Sequence, residues 1–255
     1  MTHQTILDGI DDPELAERLL SRRDALKRGG HLGAIVAAAS VPVALAAVAR
    51  GAFGQGVPGA IVEVLNFALT LEYLESEFYT RGLAAAGLIP SADRPVFQQI
   101  AKHEAAHVAF LQATLGPAAL PKPAFDFTAR GAFGDVLLSY ATFRMVAQAF
   151  EDTGVRAYKG QAGNLMSSPD VLAAALRIHS VEARHAAEIR RLRGQPAWIR
   201  GTETDSSRLA PFYVGEGNLL QAGIDLEGGE ANADAFDEPL TRSQVLAIVG
   251  PFIAA

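Results

Sequence analysis

The sequence contains no cysteine and no excess of basic residues. Without cysteine the chain has no disulfide, no thiolate-held zinc or iron–sulfur cluster and no cysteine nucleophile, so any metal must be bound by His, Asp or Glu. There are 22 Lys and Arg against 28 Asp and Glu, a net charge of −6, which does not favour nucleic-acid binding. Hydrophobic residues make up 49% of the 255 residues and charged residues only 20%, so the chain can bury a core and is not disordered.

The first 54 residues form a predicted export signal. Residues 21–28 read Ser-Arg-Arg-Asp-Ala-Leu-Lys-Arg, and a low-charge stretch rich in Ala and Val follows at 29–49. Its end, Ala47-Val48-Ala49, has the small-residue spacing that signal peptidase cleaves. The Ser-Arg-Arg-x-x-Leu-Lys core resembles a bacterial twin-arginine signal, which implies a periplasmic or exported protein that meets the inner membrane only through this signal. A retained membrane anchor and an ordinary buried helix are the alternatives.

Four long segments carry apolar residues at helical spacing, and no stretch alternates as a strand would. The links between these segments are short, long and short, and the middle link, residues 116–132, contains three prolines and no apolar period. Short links make neighbouring helices antiparallel, whereas a long link can run the length of a bundle. The sequence therefore predicts an all-α protein: a four-helix bundle over residues 55–193, built from two antiparallel hairpins joined by a long crossover. The predicted helices are 57–86, a second ending at Leu115, 133–162 and 169–191.

Residues 194–255 differ in composition from the predicted bundle. They contain nine acidic residues, three basic residues and eight glycines, which predicts an irregular extension packed over the helices. Thr241 and Gln244 fit a capping box that opens a short terminal helix at 242–249 before Pro251. The spacing of the acidic residues matches no calcium-binding loop, so a solvated loop is the prediction here.

The second and fourth predicted helices carry the same motif. Glu104 and His107 are three residues apart, as are Glu182 and His185, and residues at this spacing share one face of a helix. A single Glu-x-x-His is weak evidence, because a solvated Glu beside a packed His gives the same pattern. Two such pairs, each on a predicted bundle helix, indicate a common site.

Two further glutamates complete the pattern. Glu72 precedes Glu104 by 32 residues and Glu151 precedes Glu182 by 31, so the chain looks like a degenerate repeat offset by 78–79 residues. A surface charge is the alternative for each glutamate, but both lie in apolar runs where an unpaired carboxylate would be costly. The midpoint between each glutamate and its Glu-x-x-His pair falls in a predicted turn. All six side chains are therefore predicted to lie at one level of the bundle.

One Glu on each of two helices and Glu-x-x-His on each of the other two is the ligand set of carboxylate-bridged dimetal sites. We expect the Glu of each motif to bridge two divalent ions, each His to bind one ion, and the upstream glutamates to be terminal ligands. Four carboxylates balance two divalent ions, and the mixture of oxygen and imidazole ligands favours iron, with manganese possible, over structural zinc. The six predicted metal ligands are Glu72, Glu104, His107, Glu151, Glu182 and His185.

Two tyrosines are candidate catalytic residues. Tyr79 and Tyr158 each follow an upstream glutamate by seven residues on nearly the same face, where a phenol could bond to a carboxylate or supply an electron. Plain core packing is the alternative. Glu75 is not predicted as a ligand, because its counterpart in the repeat is Gly154. His103 and His179 have no matching spacing and are predicted to be exposed or to lie beside the ligands.

These residues resemble the ferritin-like superfamily, and more narrowly the bacterial and plant ferritin-like proteins called desiccation-related. The likeness rests on residues 65–75, on His103-Glu104-Ala105-Ala106-His107, on residues 150–154 and on Val181-Glu182-Ala183-Arg184-His185, with residues 235–240 also similar. The resemblance implies a four-helix bundle with a dimetal site, and an export signal is common among bacterial members. It leaves the activity open.

Several activities use such a site. The leading hypothesis is a periplasmic di-iron protein that oxidises Fe(II) with oxygen or peroxide in a stress-protective role, with metal ions and oxygen or peroxide as its partners. A dimanganese catalase and a non-enzymatic stress or structural protein are the alternatives. The absence of cysteine weighs against peroxide reduction that uses a fused Cys-ligated iron module as electron donor. A homo-oligomer is possible.

Overall fold

A computed structural model describes residues 58–202, 205–227 and 229–254. The predicted export signal, residues 1–54, lies outside the described residues. Within the described ranges, none of the helices combines the length and the apolar character that a bilayer-crossing segment requires. The regular elements are α1 (Gly59–Ala84), α2 (Arg94–Leu115), α3 (Tyr140–Gln161), α4 (Pro169–Leu192) and α5 (Arg242–Val249), with a two-stranded antiparallel pair, β1 (Leu220–Gln221) and β2 (Ile224–Asp225).

The helices α1 and α2 form the first antiparallel hairpin. Near the turn, Arg94 donates to the carbonyl of Leu83 at 2.7 Å, and further along Gln112 donates to the hydroxyl of Tyr73 at 2.8 Å. The turn contains Gly87 at φ +73°, a left-handed conformation that glycine adopts without steric cost. The predicted first hairpin is therefore present, and α1 is slightly shorter than the predicted 57–86.

The helices α3 and α4 form the second hairpin, which packs beside the first. Arg144, near the start of α3, donates to the carbonyl of Leu192 at the end of α4, and Asp152 pairs with Arg190. Pro169 is the first residue of α4, where a missing backbone N–H leaves no helical hydrogen bond unmade. Together the four long helices confirm the predicted all-α four-helix bundle of two hairpins joined by a crossover.

The prediction for the start of the third helix is wrong. Residues 127–138 form successive turns, and α3 begins at Tyr140 rather than at Phe133. The side chain of Ser139 accepts a hydrogen bond from the backbone N–H of Thr142 at 3.3 Å and so caps the helix. Phe133 and Val136 are buried from within the turns, so their apolar spacing imitated a helix. The crossover consequently extends from residue 116 to residue 139.

The C-terminal extension is mostly irregular and packs on the bundle, with three short 3-10 helices, the small strand pair and α5. Thr241 and Gln244 form the predicted capping box at the start of α5. The fully buried guanidinium of Arg156 on α3 donates to the carbonyls of Phe212, Val214 and Glu238. This one side chain from the bundle therefore binds two separate parts of the extension.

Candidate metal centre

The six predicted ligands come together at one level inside the bundle. Each hairpin contributes a Glu from its first helix and a Glu-x-x-His pair from its second, because residues three apart project from the same face. The four glutamates have no solvent exposure, the side chain of His185 is 5% exposed and that of His107 is 11% exposed. The centre is thus buried, and His107 is its most exposed member.

The first group of four donor side chains consists of His107, Glu72, Glu104 and Glu182. Its Nδ1 lies 3.1 Å from Glu72 Oε2, 3.1 Å from Glu182 Oε1 and 3.4 Å from Glu104 Oε2. One atom from each of these four side chains lies within 4.8 Å of the other three. Donors on opposite sides of an ion bound at about 2.1 Å lie about 4.2 Å apart, so this spacing fits one metal ion.

The second group of four donor side chains consists of His185, Glu104, Glu151 and Glu182. Its Nδ1 lies 2.9 Å from Glu104 Oε1, 3.1 Å from Glu151 Oε2 and 3.8 Å from Glu182 Oε2. One ligand atom from each of these four side chains also lies within 4.8 Å of the other three. Glu104 and Glu182 belong to both groups, each with one oxygen facing each histidine. The structure therefore brings together two adjacent positions that could each hold a metal ion and that share two glutamates.

The hydrogen bonding of the shared glutamates fits bound metal. Both carboxylate oxygens of Glu104 and both of Glu182 are buried without a hydrogen-bond partner, a costly state for a carboxylate. Each histidine Nδ1 faces oxygens from three carboxylates, and a single N–H cannot donate to all three. Two divalent ions would satisfy these oxygens and would be balanced by the four carboxylates. The buried Glu and His cluster can therefore hold a pair of metal ions.

Electrostatics within the metal-free cluster couple the carboxylates to the imidazoles. Burial raises the pKa of Glu72 to about 8, with the neighbouring His107 opposing the shift. Burial acts to lower the pKa of His185, but Glu151, Glu104 and Glu182 outweigh it and raise that pKa to about 12. Metal binding requires the neutral imidazole, so an ion that binds here must displace protons.

The two candidate catalytic tyrosines contact the centre crosswise. The hydroxyl of Tyr79 on α1 donates to Glu151 Oε1 on α3, and the hydroxyl of Tyr158 on α3 donates to Glu72 Oε1 on α1. The acceptor in each case is an upstream glutamate, and its other oxygen faces a histidine. Each phenol therefore fixes the orientation of one carboxylate, so the contact is more than core packing.

Two residues outside the predicted set also adjoin the centre. His103 Nδ1 lies 2.9 Å from His185 Nε2, and the two rings stack with centroids 5.1 Å apart. Nδ1 of His185 faces the carboxylates, and the hydrogen-bond contact between its Nε2 and His103 fixes the orientation of the His185 ring. Glu75, one turn after Glu72, is 3% exposed. The position of Glu75 in an apolar run could have indicated that it is buried near the centre. It was not predicted as a ligand because its counterpart in the repeat is Gly154.

An apolar cavity adjoins Tyr158 between the helices. It is enclosed mainly by aliphatic and aromatic side chains, among them Ala68, Leu71, Leu111 and Ile178. Leu71 precedes Glu72 directly, and Leu111 and Ile178 lie one turn from His107 and Glu182. Tyr158, which donates to Glu72, therefore separates this apolar space from the centre.

Comparison with known proteins agrees with this architecture. A family model described as a ferritin-like domain matches residues 60–195, which is just over half of the chain and includes nearly all of the four long helices. A search of curated proteins finds no match.

Proposed function

The chain belongs to the ferritin-like family, and we propose that it is a di-iron protein that oxidises Fe(II) with dioxygen or hydrogen peroxide. The observation that carries this proposal is the pair of overlapping donor groups that share Glu104 and Glu182. Two ions held by common carboxylates lie close enough to act on one small oxidant together. Carboxylate oxygens combined with one imidazole for each ion suit iron, and manganese is the runner-up.

The two-electron chemistry of a metal pair fits these oxidants. Two ferrous ions held by these six side chains would supply two electrons. With two protons, these electrons would reduce hydrogen peroxide to two water molecules or dioxygen to hydrogen peroxide, and both ions would become ferric. The chain's own contribution is to hold the carboxylates, to orient two of them through Tyr79 and Tyr158, and to exclude bulk water. The apolar cavity beside Tyr158 offers a small apolar molecule such as dioxygen a place against the tyrosine that donates to Glu72.

The proposed setting is the periplasm of a bacterium, with a protective role in oxidative or desiccation stress. The twin-arginine motif in residues 21–28 supports export, and this route carries folded proteins that often already contain their cofactors. Removal of ferrous iron together with peroxide would limit oxidative damage. The likeness of residues 235–240 and of the four motifs to desiccation-related proteins supports the same role.

The test is elemental analysis of the protein purified from its own host, followed by assays of oxygen and peroxide consumption with Fe(II). The proposal expects about two iron ions per chain and Fe(II)-dependent consumption of oxidant. A double variant, Glu104→Gln with His107→Ala, should abolish both, and Glu63→Gln, an exposed glutamate on α1, is the matched control. Tight metal without turnover would instead show a structural role. Manganese with peroxide disproportionation would show a catalase, and a metal-free protein would refute the proposal.

A further inference from the structure

Glu75 is a buried carboxylate that the six-ligand scheme does not use. It lies on α1 one helical turn after Glu72 and is 3% exposed. No hydrogen bond or ion pair joins it to any residue in the part of the chain that the structure describes. The charged groups that act most strongly on it are the carboxylates of Glu72, Glu104, Glu151 and Glu182. A buried carboxyl group without a hydrogen-bond or ion-pair partner is costly.

The space around Glu75 is small and mostly apolar. It is bounded by Leu71 and Leu74 on α1, by Phe150 on α3 and by Val249 on α5. The hydroxyl of nearby Thr153 already donates to the carbonyl of Ala149 at 2.7 Å. The side chains that line this space therefore offer the Glu75 carboxylate no free hydrogen-bond donor outside the centre.

Gly154 allows the carboxylates of Glu75 and Glu182 to approach the same point on α3. A Cβ atom at this position would lie 3.3 Å from Glu75 Oε1 and 3.5 Å from Glu182 Oε2. The two carboxylate oxygens therefore face the same gap, which the missing side chain of residue 154 keeps open. Glu182 Oε2 is the oxygen that faces His185. Glu75 thus adjoins one of the two metal-binding positions, the one formed by Glu104, Glu151, Glu182 and His185.

We propose that Glu75 is a fifth carboxylate of the centre and binds the metal ion held at the His185 position. Residue 154 occupies the equivalent place in the repeat and is a glycine, so the His107 position gains no such ligand and the two ions are non-equivalent. Five carboxylates leave a net charge of −1 with two divalent ions and of zero when one ion is trivalent. The added charge therefore favours a trivalent ion at the His185 position. This inference rests on the proposed function only in requiring that the chain bind a metal pair.

The test compares the wild-type chain with Glu75→Gln, which keeps the shape of the side chain but removes its charge. Anaerobic titration of the metal-free chain with ⁵⁷Fe(II) gives the affinity of each position, and Mössbauer spectra of the loaded protein report whether the two ions differ. We expect two distinct ferrous spectra in the wild type. In the variant we expect one ion to bind about 10- to 100-fold more weakly and the two spectra to become more alike. Glu63→Gln should leave both measurements unchanged.

A second variant covers the case in which Glu75→Gln does not fold. Gly154→Ala places a methyl group in the gap and pushes the Glu75 carboxylate away, so it should weaken the same ion in the same direction by a smaller factor. If the wild type binds two ions and both folded variants match its affinities and spectra, the inference is wrong and the proposed function stands. If the wild type binds no metal pair, the proposed function fails and this inference fails with it.

Discussion

Replacement of Glu104 by glutamine should remove most of the stability that the protein gains from metal. Glu104 places one oxygen 2.9 Å from His185 Nδ1 and the other 3.4 Å from His107 Nδ1. It is therefore a donor for both metal positions. The amide keeps the shape of the side chain but offers a single neutral oxygen, so both positions lose a charged ligand.

The magnitude follows from ligand linkage. An ion present at 100 times its dissociation constant stabilises the folded state by about 2.7 kcal/mol, so two ions contribute roughly 5 kcal/mol. For a domain of this size each kcal/mol raises Tm by about 2–4 °C, which gives a rise of about 10–20 °C. A 100-fold loss of affinity at both positions would reduce the contribution to about 0.8 kcal/mol and the rise to about 2–3 °C.

The assay is calorimetric melting of each variant with and without anaerobic Fe(II), so that each metal-free protein is its own reference. Glu63→Gln is the control, since the side chain of Glu63 is 75% exposed and forms only a surface ion pair with Arg242 at 3.6 Å. The control should retain the full metal-induced rise. An equal rise in Glu104→Gln would refute the assignment of Glu104 as a shared ligand.

Three further predictions test other contacts. Burial raises the pKa of Glu72 from 4.5 to about 8, so the folded protein favours the protonated form of this carboxyl group. The contribution of this protonation to the free energy of unfolding is complete below pH 4.5 and is lost as the pH rises to 8. The Tm of the metal-free protein should therefore fall less over this interval in Glu72→Gln, and an unchanged slope in calorimetry would contradict the assignment. Tyr158→Phe should cost about 1–3 kcal/mol in urea unfolding of the metal-free protein, because one oxygen of Glu72 loses its buried donor; no loss would mean that the hydroxyl does not matter for folding. Arg156 also forms an ion pair with the buried Glu216, so Arg156→Met should cost about 3–5 kcal/mol because it leaves that carboxylate without its positive partner. The double variant with Glu216→Gln should lose less, and limited proteolysis should cleave the C-terminal extension first in the single variant; equal losses would show that the pair is not coupled.

The height along the bundle at which the six side chains meet could be predicted, because it depends on helical periodicity and on the positions of the turns. Spacing of three residues places Glu104 with His107 on one helix face whatever the rest of the fold does. In an antiparallel hairpin, the position of the turn then fixes which residue of the partner helix lies at the same height. Both rules use only sequence separation, so the convergence of six side chains from four helices was readable before any tertiary contact was known.

The sequence-based predictions were wrong or incomplete where segments far apart in the sequence pack together. The start of the third helix was placed too early because buried turns at Phe133 and Val136 carry the same apolar spacing as a helix. Glu75 was left out because it does not fit the repeat, although it adjoins the centre. For His103 the sequence predicted an exposed position or one beside the ligands, and the contact with His185 agrees with the second. Their roles depend on which helix faces them, and this is a property of packing between hairpins.

The sequence by itself determined the four helices, their pairing into hairpins and the ligand types, because helical periodicity and turn position are local properties of the chain. Only the tertiary structure decided that Glu104 and Glu182 each face both histidines and that Tyr79 and Tyr158 cross between α1 and α3. It also decided that Glu75 and Glu182 approach the same point beside Gly154. These relations depend on the rotation of each helix about its axis and on the distance between hairpins, which long-range packing sets.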